Sequence, residues 1–112
     1  MESTRQKKIS RLLQKEIAEI LRQKTNTLAP GKMITVTTVR ISPDLATSRI
    51  YLSIFPSTGG EDVLGKVISA TGSIRNELGK LVRNQLRVVP ELSFFLDDSL
   101  DYIDKIDSLL TD

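Results

Sequence analysis

The chain opens on a helical rhythm. Ile9, Leu12, Leu13, Ile17, Ile20 and Leu21 recur at intervals of three and four, which predicts one apolar stripe along a helix over residues 3–24. Thr25-Asn26-Thr27 and Ala29-Pro30-Gly31 are expected to end it, because Pro and Gly disfavour continuation. Residues 33–42 (MITVTTVRIS) are then rich in β-branched side chains, as strands are. Ser42-Pro43-Asp44 has turn chemistry. Over residues 48–55, Ile50, Leu52 and Ile54 alternate with Arg49, Tyr51 and Ser53. These segments predict an antiparallel hairpin with one buried face.

Beyond a loop at 56–60, Glu61 and Asp62 suit the positive end of a second helix. Val63, Leu64, Val67 and Ile68 give that helix an apolar face. Gly72 interrupts the period, and Ile74, Leu78, Leu81 and Val82 resume it to about Leu86. Glycine in mid-helix costs roughly 1 kcal/mol against Ala. Ala70-Thr71-Gly72 therefore reads as a structural kink, with Gly72 as the pivot between two helices. Residues 88–96 predict a third strand, broken near Pro90. Leu100, Ile103, Ile106 and Leu110 predict a closing helix over 99–110. The result is an α+β fold, a three-stranded sheet with helices packed on one face, and residues 1–112 are expected to form a single domain.

Composition narrows the chemistry. A chain of 112 residues, 39% hydrophobic and 27% charged, suits one globular domain. No apolar run approaches the ~20 residues of a spanning helix, and MESTRQKKIS lacks the apolar stretch of a signal peptide, so no membrane role is expected. Without cysteine there are no disulfides, zinc-thiolate sites or thiol catalysis, which fits a reducing cytoplasm. Without histidine the commonest general base and metal ligand are missing. Gly59-Gly60 precedes a helix, but no Lys-Ser/Thr follows at phosphate-loop spacing, and a flexible loop is the simpler reading. Asp97, Asp98, Asp101, Asp104 and Asp107 do not follow a calcium-loop spacing, and most fall on one predicted helix. No catalytic residue, metal site or cofactor is expected, and the chain reads as a monomer.

Charge points to a partner. Residues 1–90 carry 15 Lys and Arg against 7 Asp and Glu, whereas residues 91–112 carry one against seven. A basic body with an acidic end suits a polyanion. On the first helix Lys8, Arg11, Lys15 and Arg22 project within roughly 60° of one another at about 100° per residue, nearly opposite the apolar stripe. Like charges at this spacing repel, and a phosphate backbone relieves the repulsion. Lys80, Arg83 and Arg87 repeat the arrangement opposite Ile74, Leu78 and Leu81, with Asn76 on their face and Arg75 on its flank. Arg40 and Arg49 add charge from the hairpin. An ordinary solvated face accounts for each cluster taken alone; together they suggest a surface that grips folded RNA through phosphates and shape. The aromatics are only Tyr51, Phe55, Phe94, Phe95 and Tyr102, poor material for a base-stacking platform.

The order helix–hairpin–kinked helix pair–strand is that of a type II KH domain. With Ala70-Thr71-Gly72 in place of a GxxG loop, the chain resembles the ribosome-binding factor A family. RLLQKEIAEIL at Arg11–Leu21 is similar to that family's opening helix, and VTTVRISPDLATSRIYLSIF at Val36–Phe55 to its hairpin. VPELSFFLDDSLDYIDKIDSLL at Val89–Leu110 resembles its closing strand and helix. The resemblance implies a bacterial cytoplasmic factor that binds free or immature 30S subunits and 16S rRNA. It further implies late assembly, 5′-end processing of 16S rRNA, importance in the cold, and other assembly factors or GTPases as partners. The family's long C-terminal extension is nearly absent from this sequence. The missing GxxG loop directs attention to structured RNA on the helical faces. The competing reading is a protein–protein interaction module without RNA binding, using the last helix and the sheet edge.

Overall fold

The computed structural model describes residues 3–97. The first helix, α1 (Thr4–Leu28), starts at a reciprocal cap. The Gln6 N–H donates to Ser3 Oγ at 3.1 Å, and the Ser3 N–H donates to Gln6 Oε1 at 2.8 Å, so two otherwise orphaned donors are satisfied together. Ile9, Leu13, Ile17, Ile20 and Leu21 are buried as the stripe predicts, with Leu12 partly buried beside them. The helix continues four residues past the expected end. Thr25 Oγ1 donates back to the Leu21 carbonyl at 2.9 Å, and Leu28 and Ala29 are buried. Burial of Leu28 outweighs the weak helix propensity of Thr25-Asn26-Thr27, and Pro30-Gly31 ends the run.

The hairpin strands are β1 (Met33–Ile41) and β2 (Thr47–Phe55), paired antiparallel. Ile34, Val36, Val39 and Ile41 of β1 are buried against α1, with a register shift between Val36 and Thr38. This bulge explains why the buried positions skip from 36 to 39; one extra residue returns the apolar set to the inner face. Two glutamines fix α1 on the strand. Gln6 Nε2 donates to the Ile41 carbonyl at 3.1 Å and Gln14 Nε2 to the Val36 carbonyl at 3.2 Å. At the turn, Asp44 Oδ1 accepts from Ser42 Oγ at 2.6 Å and from the Ala46 N–H at 3.1 Å, while Leu45 takes φ 63°.

The crossover consists of α2 (Gly60–Ser69) and α3 (Thr71–Val82), and leads to β3 (Glu91–Leu96). β3 pairs parallel with β2, giving the order β1-β2-β3. Three expectations need correction. α3 ends at Val82 rather than Leu86, because residues 83–90 turn back along the helix to reach the sheet. Leu81 and Ile68 are half exposed, and the inner faces are made by Ile74, Leu78 and Val82 of α3 and by Val63 and Val67 of α2. The third strand begins only after Pro90, and Val88 is exposed. The expected closing helix over 99–110, with Asp98, Asp101, Asp104 and Asp107, lies outside the described residues.

Ile50 is fully buried at the centre of the middle strand. Ile50→Ala is expected to lower stability by about 2–5 kcal/mol, read as a fall in the urea midpoint. A second expectation concerns pH. The bond from Ser42 first, then that from Ala46, holds the exposed Asp44 carboxyl below its ordinary value of 3.8. Its stabilisation is fully present above that value and is lost as pH falls through the lower folded one. The stability gap between the wild type and Asp44→Ala should therefore be constant near neutrality and narrow under acid, as urea titrations at several pH values would show.

Candidate nucleic-acid interface

The structure sorts the candidate cations by what each already touches. Lys8, Arg11 and Lys15 lie exposed on the outer side of α1 and form no ion pair among the described residues. Arg22, on the same face, is engaged. Its Nη2 lies 2.6 Å from Glu19 Oε1 and its Nε donates to Oε2 at 3.0 Å. This pair holds the Glu19 carboxyl below its ordinary value and the Arg22 guanidinium above its own. The face that sequence periodicity gives four free cations thus presents three.

The second cluster becomes a groove. An open cleft of about 550 Å³ runs along α3, walled on one side by Arg75, Asn76, Lys80 and Arg83. Arg87, Val88 and Val89 of the returning segment form the other wall. Gly72 and Gly79 lie between them, and a side chain at Gly79 would come within 3.6 Å of the Val89 Cγ2 methyl. Arg87 arrives by this chain reversal rather than by helical periodicity, since α3 has already ended. Arg75 is what holds the reversal. Its Nη2 donates to the Val89 carbonyl at 2.6 Å and its Nε to the Pro90 carbonyl at 3.2 Å. Its charge still faces the groove, but its donors are committed to the backbone. Lys80, Arg83 and Arg87 are exposed and without acidic partners among the described residues. Sequence reasoning missed the part played by Gly79 and Val89; Pro90, which forbids a continuous strand, was the available signal.

Arg40 and Arg49 stand opposite one another in the β1–β2 register, on the face of the sheet away from the helices. With Ser42 and Thr47 they line a smaller cleft of about 240 Å³. The ten cations therefore occupy three surfaces: the outer side of α1, the α3 groove, and the side of the sheet away from the described helices. Among the described residues no group of three or more acidic, His or Cys side chains is placed to hold a metal, and no helix is long and apolar enough to cross a membrane.

The break between α2 and α3 falls at Ala70, with φ −92° and ψ 6°, whose N–H is bonded within α2 and whose carbonyl accepts from the Ile74 N–H. Gly72 is therefore not the pivot that the sequence predicts: it sits in the first turn of α3 with no left-handed backbone, and a Cβ there would meet nothing within 4 Å.

A three-stranded mixed sheet, with helices on one face and a broken helix pair as its crossover, defines an α+β domain of the type II KH-like class. Comparison with known proteins narrows this further. The family model described as ribosome-binding factor A matches residues 5–110. A ribosome-binding factor A from Cytophaga hutchinsonii is 39% identical over 99% of this chain and 84% of its own length. That of Flavobacterium johnsoniae is 43% identical over 98% of this chain and 85% of its own. The chain belongs to the ribosome-binding factor A family, whose description is that of a binding factor and not of an enzyme class. The crystal structure of ribosome-binding factor A from Thermus thermophilus shares the fold, with a TM-score of 0.66, 22% identity, and coverage of 81% of this chain and 94% of that one. A homology model of the Thermus thermophilus ribosome-binding factor A, described as fitted into the cryo-EM map of its 30S complex, superposes with a TM-score of 0.50 at 24% identity, over 73% of this chain and 96% of that one.

The geometry at Gly72 gives a discriminating substitution. Gly72→Ala is expected to raise stability by about 0.5–1 kcal/mol, because the position is helical and open. A rise in melting temperature accompanied by weaker RNA binding would mark Gly72 as a point of close ligand approach.

Proposed function

We propose that this protein is a maturation factor of the small ribosomal subunit, acting by binding and not by catalysis. The reading has it bind free or immature 30S subunits through 16S rRNA and promote late assembly and 5′-end processing. It would work in the cytoplasm as a single-domain monomer without a cofactor, alongside other assembly factors or GTPases. The observation that carries it is the α3 groove. Three exposed cations, Lys80, Arg83 and Arg87, converge there with no acid among the described residues to neutralise them. Membership of the ribosome-binding factor A family supports the same partner.

The groove suits a folded RNA backbone. Phosphates meet the three cations, and the glycine floor admits a backbone that a β-carbon would hold off. Lys8, Arg11 and Lys15 offer a second line of phosphate-binding charge, with Arg40, Arg49 and Arg75 behind them, and Arg22 reduced by its pairing to Glu19. Affinity for one rRNA arrangement over its alternatives is all the mechanism requires: the protein stabilises that arrangement by its differential affinity, while neighbouring segments settle.

Replacing Lys80, Arg83 and Arg87 together by Ala should weaken binding to purified small subunits without unfolding the chain. The slope of log affinity against log salt should become shallower by about 1 for each phosphate that the variant no longer neutralises. The Lys8, Arg11 and Lys15 triple should behave likewise if both surfaces meet the same RNA. Unchanged slopes in both triples would remove the RNA reading and leave a protein–protein interaction module.

A further inference from the structure

The side of the sheet away from the helices is arranged in rows. Register places Arg40 beside Arg49 and Arg49 beside Ser93; the next row is Thr38, Tyr51 and Phe95. The Tyr51 and Phe95 rings stack with centroids 5.5 Å apart and planes 28° apart. Phe95 is 41% exposed on the edge strand, so among the described residues the ring face turned from Tyr51 has no further strand beside it. Phe55, paired with Met33, is 72% exposed on the same side. Three of the chain's five aromatics are thus gathered on one surface, which their number in the sequence does not suggest.

The adjoining arginines complete the surface. Like charges directly opposite across two strands destabilise the pair, and neither Arg40 nor Arg49 has an acidic partner among the described residues. An anion bridging the two guanidinium groups removes that repulsion. The arginine and aromatic rows are roughly 7 Å apart along a strand, and neighbouring strands about 4.8 Å apart across it. At the backbone Arg49 therefore lies about 8 Å from Phe95 and Arg40 about 12 Å. The two phosphates flanking one nucleotide cover these spans together with the reach of the long arginine side chains. A stacking ring beside paired arginines is the combination that unpaired nucleotides use.

We propose that this sheet face is a second RNA site, selective for single-stranded RNA. A base stacks on Phe95, backed by Tyr51, and its phosphates lie across Arg40 and Arg49. The site rests on the reading of the protein as an RNA binder, but it differs from the α3 groove in place and in the form of RNA it takes. Charge complementarity and the exposed ring pair select this occupant.

The chain has no tryptophan, so Phe95→Trp in the full chain gives a single tryptophan on the face, whose emission can be excited selectively over that of Tyr51 and Tyr102. A single-stranded oligoadenylate should quench its emission, and an RNA duplex should not. Phe95→Ala should weaken oligoadenylate binding by about five-fold or more with little change in melting temperature. Arg40→Ala with Arg49→Ala should make the oligoadenylate salt slope shallower by roughly 1.4, at about 0.7 per neutralised phosphate of a single strand. If these variants bind oligoadenylate as the wild type does while the groove triple loses affinity for small subunits, the sheet site is wrong and the groove reading stands. If the groove triple also binds as the wild type does, both fail. Emission that is blue-shifted from the start, insensitive to oligoadenylate and red-shifted by salt would show the face covered by the chain's own acidic residues 98–112, which also overturns the proposal.

Discussion

Everything around the basic groove depends on β2 pairing in parallel with β3. Antiparallel neighbours can be joined by a tight turn, as β1 and β2 are, but parallel neighbours require the chain to return the length of the sheet. Residues 56–90 make that return. Two helices broken at Ala70 carry the chain away from the end of β2, and residues 83–90 bring it back along α3 to the start of β3. The space between α3 and its own return segment is the groove. Arg75 binds the carbonyls of Val89 and Pro90, so the residue that closes the turn also fixes the groove's width. Pairing geometry, crossover and candidate site are one constraint met in sequence.

Among the described residues the helices cover one side of the sheet, and they need firm anchoring to that side. Hydrophobic burial draws α1 onto β1 but does not set its position along the strand. Gln6 and Gln14 do so, by donating to backbone carbonyls at two points of β1. Gln6 is itself buried, where a polar group without a partner would be costly, so the helix is held at the one register that satisfies it. The bulge at Thr37 belongs to the same solution. It shifts the strand's alternation so that both Val36 and Val39 face α1, and Thr37 itself, its hydroxyl 2.5 Å from Asp97 Oδ2, ties the bulge to the residue that follows β3.

The elements were legible where burial follows local periodicity. The stripe of α1, the alternation of β2 and the existence of a break between the two crossover helices can be read from the sequence, although the break falls at Ala70 and not at Gly72. What escaped the sequence depends on neighbours remote in the chain. The end of α1 is set by the burial of Leu28, against the local propensity of Thr25–Thr27. The end of α3 is set by Arg75 holding residues 89 and 90, and strand order by which edge of β2 the crossover reaches. The same division applies to the candidate site. Helical angle correctly places Lys8, Arg11 and Lys15 outside, but no angle reveals that Arg22 is held by Glu19 or that Arg75 serves the backbone. The aromatic count in turn hides how Tyr51, Phe55 and Phe95 share a face, because that depends on register between strands.

Electrostatic character follows from pairing more than from number. The acids that the fold uses have partners: Glu19 pairs with Arg22 within α1, Glu77 of α3 with Lys24 of α1, and Asp44 bonds within its own turn. Lys32 is likewise taken up by the Pro56 and Thr58 carbonyls before α2. Among the described residues, the candidate cations left without an ion pair are grouped: Lys80, Arg83 and Arg87 beside glycines in the groove, Arg40 and Arg49 in opposed positions on the sheet, and Lys8, Arg11 and Lys15 along the outer side of α1. Charges separated by more than about 8 Å are largely screened at physiological salt, so dispersed lysines would contribute little to a distant field. Clusters act at short range, where a phosphate meets several cations at once and each exchanges a bound counterion. For the proposed function, this grouping means weak affinity for any polyanion and strong affinity only for one whose phosphates match the spacing, as the holding of a single RNA arrangement would demand.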